Sequence, residues 1–246
     1  FVIKGLSLTI RGDEKLCIVG ANGSGKSTFV KLLTRLYVPT EGEILLNGIN
    51  INEYDYREYC RLFAPVFQDF ALYNITLGEN IVMAEGYDEE RLRSAARQSG
   101  LPEMAEHNKN GYDTVIYKWF DKEGIEPSGG EGQRIAMARA LYRGGSVYIL
   151  DEPTAALDPN AEYEMYTQFN NMITDKCAVL ITHRLSAVQL ADMVAVFDDG
   201  HVAEYGTHAE LYAKGGIYTE MFDKQAKFYR DKPSEHTAES IGKVGE

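Results

Sequence analysis

The fold of this chain is decided by one stretch, Gly20-Ala21-Asn22-Gly23-Ser24-Gly25-Lys26-Ser27-Thr28. Its spacing of glycines, lysine and hydroxyl residues is the pattern of a loop that surrounds the phosphates of a nucleotide. In such a loop the glycines let backbone N–H groups turn towards an anion at a helix N-terminus. The pattern predicts that Lys26 reaches the β- and γ-phosphates and that the hydroxyl of Ser27 ligates Mg²⁺.

The residues on either side of this phosphate loop support the prediction. Before it, residues 15–19 form a short apolar run that is typical of a buried strand. After it, apolar residues recur at the spacing of one helix face, namely Phe29, Leu32, Leu33 and Leu36. This helix must end before Pro39. A strand, loop and helix in this order favour nucleotide binding over the alternative, a glycine-rich turn closed by a helix cap.

The composition is that of an ordinary globular protein. The chain has 246 residues, of which 44% are hydrophobic and 25% are charged, and this length suits one large α/β domain. The formal net charge of −12 argues against a nucleic-acid surface, which needs clustered lysine and arginine. No apolar run approaches the length of about 18 residues that spans a membrane, so we expect this part of the protein to be soluble.

Residues 1–10 begin inside a strand-like alternation, with Leu6, Leu8 and Ile10 on one face. A natural N-terminus usually offers a few polar residues first. We therefore interpret the sequence as a fragment whose preceding segment is missing.

Two turns predict antiparallel strands beside a parallel core. Asn47-Gly48 lies between two apolar runs, which is the strongest short signal for a hairpin. A second hairpin is predicted around Asp198-Asp199, between an apolar run and residues 200–204.

Polar side chains follow three short apolar runs at their carboxyl ends. Asp151-Glu152 ends one run, His183 follows a second, and Gln68 follows a third. Each could be an ordinary loop residue or strand cap, but α/β sheets bind ligands outside the carboxyl ends of their strands. We therefore expect these side chains to meet, with one carboxylate holding Mg²⁺ and the next facing a water molecule.

The middle of the chain changes composition. Residues 76–126 are charged and rich in alanine, glutamate and arginine, which predicts a helical subdomain whose exposed apolar residues could dock a partner. Ser128-Gly129-Gly130-Glu131 then opens a helix as a capping box. The same helix N-terminus could also face a phosphate, and both interpretations can hold together. Asp158 followed by proline predicts another helix start.

In combination these residues resemble the nucleotide-binding domain of an ATP-binding cassette (ABC) transporter. Six motifs occur in the order of that family: the phosphate loop, Gln68, Ser128-Gly129-Gly130, Asp151-Glu152, Asp158 and His183. Residues 66–70 and 204–211 resemble the exporter branch. The resemblance implies an α/β fold with a P-loop NTPase core of mostly parallel strands, an antiparallel β subdomain and an inserted α-helical subdomain.

Within a single domain of residues 1–246, the resemblance implies four parts. Residues 1–75 hold the phosphate-loop core and the antiparallel strands, residues 76–143 the helical subdomain with the signature helix, and residues 144–222 the rest of the core. Residues 223–246 are polar and charged, and we expect them to form a loose tail.

The resemblance also implies a mechanism in which two such domains pack head to tail around two Mg-ATP. Residues 20–28 of one domain and residues 128–131 of the other would bind each ATP. Ser27, Gln68 and Asp151 would ligate Mg²⁺, and Glu152 would deprotonate the attacking water. The γ-phosphate would accept a hydrogen bond from His183, and Asp158 would link the two sites. Membrane helices, fused upstream or associated, would hold the domain at the cytoplasmic face of the membrane.

The sequence departs from the family pattern in three places. Pro127 and Glu131 flank the intact Ser-Gly-Gly, and the glutamate brings a negative charge near the expected γ-phosphate. Residues 116–120 lengthen the stretch ahead of the signature. The aromatic residue that stacks on adenine in this family would lie upstream of Phe1.

Three alternatives to an exporter motor stay open. Glu131 and Pro127 mildly favour a low-turnover half of an asymmetric heterodimer, whereas the intact Glu152 and His183 weigh against it. A cassette ATPase of chromosomes or ribosomes is disfavoured by the acidic charge and by the lack of a long heptad insertion. A separately encoded importer subunit is disfavoured by the C-terminal pattern.

Overall fold

The computed structural model describes residues 2–101, 105, 107–119, 121–153, 165–167, 169–170, 173, 176–182, 184 and 188–230. The strands of this part of the chain are β1 (Lys15–Gly20), β2 (Leu45–Leu46), β3 (Ile49–Asn50), β4 (Phe63–Val66), β5 (Val147–Asp151), β6 (Cys177–Ile181), β7 (Met193–Asp198) and β8 (His201–Gly206).

Six of these strands form one sheet in the order β4-β5-β6-β1-β7-β8. The first five are parallel to one another, and β8 is antiparallel to β7. Because both faces of a parallel sheet are covered, the inner residues of its strands are apolar. Every residue of β6 is buried, as is every residue of β1 after the first. Because β4, β5, β6 and β1 are parallel, their carboxyl ends lie at the same edge of the sheet.

The helices of the described residues are α1 (Lys26–Leu33), α2 (Tyr56–Arg61), α3 (Leu77–Val82), α4 (Glu89–Gln98), α5 (Gly129–Arg143), α6 (His208–Lys214) and α7 (Ile217–Arg230). Short 3₁₀ turns occupy Ile51–Glu53 and Gly111–Asp113. None of the helices described is long and apolar enough to cross a membrane.

Helix α5 connects two hydrophobic cores. Met137 and Ala140 on one side of it pack with residues of the sheet such as Val66. Ile135 and Ala138 pack instead with residues of α3 and α4. Helix α5 begins within the signature segment, residues 128–131, and is called the signature helix. It is thus anchored both to the sheet and to the helices of residues 77–98.

Both predicted hairpins are present. Asn47 and Gly48 have φ values of 53° and 81° and connect β2 to β3, as a turn with two left-handed residues requires. Asp199 and Gly200 connect β7 to β8. The α/β fold with a mostly parallel sheet and a separate antiparallel sheet is confirmed.

The strand expected in residues 1–10 is wrong. Leu6, Leu8 and Ile10 are half-buried against the core and their neighbours are exposed, as the alternation predicts. However, these residues pair with no strand in the described part of the chain. Alternation fixes which face is buried, whereas a strand also needs a neighbouring backbone.

Two helix ends also differ from expectation. Helix α1 ends at Leu33 because Arg35 takes a left-handed φ of 58°, so Leu36 lies beyond the helix and is 54% exposed. Helix α7 continues to Arg230, into the stretch expected to be a loose tail. Its inward residues recur at helical spacing, namely Tyr218, Met221, Phe222 and Gln225. Three of these four residues precede the expected tail, and the polar composition from residue 223 onwards hid the continuation of the helix.

Candidate functional site

The phosphate loop follows β1, the strand between β6 and β7. Gly20 has a φ of 153°, and a side chain there would overlap the carbonyl oxygen of Phe197. Only glycine fits this position. At the other end of the loop, Gly25 precedes α1 and has no side chain that could cap it. The first N–H groups of α1 are therefore left for another acceptor, which suits an anion such as a phosphate.

Lys26 is buried inside this loop. Its ammonium donates hydrogen bonds to the carbonyl oxygens of Gly20 and Ala21, at 2.9 Å and 3.0 Å. Burial lowers the pKa of the Lys26 ammonium, and the nearby carboxylates of Glu152 and Asp151 oppose that shift. A cation that is only partly solvated binds an incoming anion more strongly than one in bulk water.

Asp151 ends β5 and is buried beside the phosphate loop. Burial raises the pKa of its carboxyl, and the charges of Glu152 and Asp69 add to that effect. A hydrogen bond with Ser27 lowers it. One oxygen, Oδ1, is buried without a hydrogen-bond partner in the described part of the chain. A buried carboxylate oxygen of this kind requires a partner, because an unsatisfied one is costly.

Glu152 and Gln68 meet at the same edge. The amide nitrogen of Gln68 donates to Oε2 of Glu152 at 3.2 Å. The pairing of β4 with β5 brings their carboxyl ends side by side, with Val66 opposite Leu150. Glu152 has a left-handed φ of 48°, which is uncommon outside glycine. Its N–H is held by the carbonyl of Ile181 at 2.9 Å. Strained backbone of this kind concentrates at functional sites.

The donor set at this edge fits Mg²⁺. Ser27 offers a hydroxyl, Gln68 an amide oxygen and Asp151 the unpartnered Oδ1. These are hard oxygen ligands, which Mg²⁺ prefers, and it keeps several waters besides. The described residues contain no cluster of three or more His, Cys, Asp or Glu that could hold a metal.

The signature segment forms a capped helix end of its own. The Ser128 hydroxyl donates to Oε2 of Glu131 at 2.8 Å, and the Ser128 N–H donates to the same oxygen at 2.8 Å. The N–H of Glu131 donates back to the hydroxyl at 3.3 Å. The predicted capping box is confirmed. No hydrogen bond among the described residues joins Ser128, Gly129, Gly130 or Glu131 to the phosphate loop.

Two predicted site residues, Asp158 and His183, lie outside the described residues. Strand β6, which precedes His183 in the sequence, ends beside β5 with Ile181 opposite Asp151. The roles of both residues remain predictions.

One charged residue at this edge, Asp69, was not predicted from the sequence. Asp69 acts on the carboxyl of Asp151 and raises its pKa. Its position directly after Gln68 could have revealed it.

Comparisons with known proteins show the family. A family model described as "ABC transporter" matches residues 3–155. The subtilin transport ATP-binding protein SpaT of Bacillus subtilis is 42% identical over 230 residues, covering 91% of this chain and 37% of that protein. An ATP-dependent lipid A-core flippase of Haemophilus ducreyi is 40% identical over 225 residues, covering 89% of this chain and 38% of that protein.

A solved structure gives the same result at the level of the fold. The structure of a bacterial Atm1-family ABC exporter with ATP bound matches with a TM-score of 0.85 and 33% identity, covering 92% of this chain and 39% of that one. This chain spans well under half the length of the relatives and the structure that it matches.

Proposed function

We propose a function from one premise: the chain belongs to the ABC transporter family, as a nucleotide-binding ATPase domain of exporter type. On that premise it binds Mg-ATP and hydrolyses it to drive transport by a membrane domain. The observation that carries the proposal is the meeting of Gln68 and Glu152 beside the buried Asp151. These three residues lie with Lys26 at one edge of the sheet.

The chemistry follows from positioning and charge. Lys26 and the N–H groups at the start of α1 hold the β- and γ-phosphates. Ser27, Gln68 and Asp151 would hold Mg²⁺, which would supply positive charge near the phosphate oxygens. Glu152 accepts a proton from the water that attacks the γ-phosphorus, and Gln68 holds that carboxylate by its hydrogen bond. We also propose that His183, which is not among the described residues, donates a hydrogen bond to the γ-phosphate.

The signature segment acts on a second copy or a related domain. Ser128 and Gly129 are exposed at the N-terminus of α5, where the helix dipole favours an anion. Two domains pack head to tail, and each ATP lies between the phosphate loop of one and residues 128–131 of the other. Asp158 links the two sites across this interface.

The membrane domain is a partner on the same or another polypeptide. The matched relatives are more than twice as long as this chain, which supports a fused membrane domain. Such a domain places the ATPase at the cytoplasmic face of the membrane.

A second candidate function is a low-turnover half of an asymmetric heterodimer. It is favoured by Glu131, whose carboxylate adds a negative charge at a helix end that would face the γ-phosphate. An importer ATPase subunit is a weaker alternative, since the named relatives include an exporter structure.

Light scattering on the Glu152→Gln variant tests the pairing. The substitution removes the proton acceptor and should trap bound ATP, so addition of Mg-ATP is expected to convert a monomer of 27.5 kDa into a dimer. Mg²⁺ or ATP alone serves as the control. A variant that binds ATP and stays monomeric would contradict self-pairing and favour the heterodimer.

A further inference from the structure

Residues 68–76, the Gln68 segment, run from the catalytic edge to the helices of residues 77–98. The segment passes over α5 at Gly132, in the first turn of that helix. The side chains of Phe70 and Leu72 both lie next to this glycine. Phe70 packs with the core of the sheet, and Leu72 packs with the core of the helices. The crossing point therefore lies between the two cores that α5 connects.

The ring of Phe70 is seated against the bare backbone of Gly132. A methyl group at this glycine would lie 3.3 Å from Cε2 and 3.4 Å from Cζ of Phe70, and 3.6 Å from Cδ1 of Leu72. Gly132 has no left-handed φ that would require glycine. A helical glycine costs about 1 kcal/mol relative to alanine. Close approach of Phe70 gives this glycine a reason to be there.

The rest of the segment is tied to the helices by hydrogen bonds. The fully buried side chain of Asn80 accepts from the N–H of Tyr73 and donates to the carbonyls of Tyr73 and Thr76. The guanidinium of Arg139, on α5, donates to the carbonyl of Ala71 at 3.1 Å and of Asn80 at 2.8 Å. These hydrogen bonds attach residues 71–76 to α3 and α5.

Gln68 is only two residues from Phe70, a distance of at most about 7 Å along the chain. Its amide contacts Glu152 at the other end of this short span. We therefore expect that a shift of the Phe70 ring by a few tenths of an ångström also displaces Gln68.

We propose that Phe70 and Gly132 are positioning residues for the ATPase reaction: the ring seated on the glycine sets where Gln68 stands relative to Glu152. The inference rests on the proposed function. It links the placement of the signature helix to the catalytic edge of the same chain.

A double-mutant cycle on the 246-residue chain tests this link. Gly132→Ala places a methyl group against the ring, and Phe70→Leu removes Cε2 and Cζ, the atoms that the methyl would meet. Each single variant is expected to lower kcat by about 10-fold or more, because a misplacement of about 1 Å can cost about 100-fold. The dissociation constant of Mg-ATP, set by the phosphate loop, should stay within about twofold.

The double variant is expected to regain most of the lost kcat, because the new methyl group occupies the space that the ring vacates. Purely structural roles would lower the melting temperature and leave kcat of the folded enzyme unchanged. Gly12→Ala is the matched control, since nothing lies within 4 Å of a side chain there. Should Gly132→Ala fail to fold, Phe70→Leu alone still tests the loss of kcat at constant ATP affinity.

Three outcomes separate the possibilities. If the wild type hydrolyses ATP and both single variants have the same kcat as the wild type, the inference is overturned and the proposed function stands. A double variant whose loss equals the sum of the single losses in free energy would have the same consequence. A wild-type chain, extended upstream to restore the adenine-stacking residue, that neither binds nor hydrolyses ATP would refute the proposed function and the inference with it.

Discussion

The phosphate loop and the signature segment are both glycine-rich helix starts, yet they are built in opposite ways. In the phosphate loop, Ser24, Gly25 and Lys26 are buried, and α1 has no side-chain cap. In the signature segment, Ser128 and Gly129 are exposed, and Glu131 closes the helix end as a capping box. One helix start is left open towards a site within the chain, whereas the other is satisfied and faces outwards. This difference supports the proposal that the phosphate loop holds the nucleotide within one chain, whereas the signature segment meets the nucleotide of a second domain.

If the phosphate loop depends on its backbone shape, Gly20→Ala should have the largest effect on the fold. The new side chain would overlap the Phe197 carbonyl at a φ that alanine rarely adopts. We expect the free energy of unfolding to fall by about 3 kcal/mol, from strain and overpacking together. Urea unfolding measures this, with Gly12→Ala as the control at a position with open space. Equal effects of the two substitutions would show that the loop tolerates a side chain.

Lys26→Ala should remove nucleotide binding while keeping the fold. Loss of a buried, hydrogen-bonded charge costs about 2–5 kcal/mol in a complex, so we expect the dissociation constant of Mg-ATP to rise by about 30-fold or more. Isothermal titration calorimetry measures the constant. Lys31→Ala, on the same helix but over the ring of Tyr37, is the matched control. Similar losses in the two variants would mean that a general positive charge, and not Lys26, holds the phosphates.

The signature segment should respond in the opposite manner, with little effect on the monomer. In Glu131→Gln the amide oxygen can still accept both bonds from Ser128, so we expect unfolding to change by less than about 0.5 kcal/mol. Removal of the carboxylate relieves repulsion from a facing phosphate by about 1 kcal/mol. The dimer contains two such sites, so the ATP-dependent dimer should tighten by about fivefold for each site, or about 30-fold in all.

Glu131→Ala serves as the comparison for that variant, because it removes the charge and also the carboxylate that accepts both bonds from Ser128, whereas the Ser128 hydroxyl can still cap the N–H of residue 131. Sedimentation with Mg-ATP at low and high salt measures the dimer constant, and the gain should shrink as salt screens the charge. A gain that salt does not alter would exclude repulsion as the cause.

The sequence predicted those parts whose cause is local. The phosphate loop, its strand and the capping box of Ser128 are each set by residues within about ten positions of one another. The contact of Gln68 with Glu152 is not local, since it depends on β4 lying next to β5 across 84 positions of sequence. The polar residues at the strand ends suggested this contact, but the contact depends on the order of the strands in the sheet, which the sequence does not reveal.

The errors have the same origin. The end of α1 is set by Arg35, whose guanidinium bonds the carbonyl of Tyr54 from a distant turn. The length of α7 is set by Met221 and Phe222 packing on the core near β1 and β7. Composition could not reveal these tertiary contacts. The seat of Phe70 on Gly132 was hidden for the same reason.

The rate of ATP hydrolysis by Glu152→Gln, measured in a single turnover with Mg-ATP already bound, tests the assignment of Glu152 as the proton acceptor. The glutamine can still accept the hydrogen bond from Gln68, so the geometry is kept while the base is lost. We predict a rate about 10²–10⁴-fold below that of the wild type, with Mg-ATP affinity unchanged. A rate close to that of the wild type would contradict the assignment.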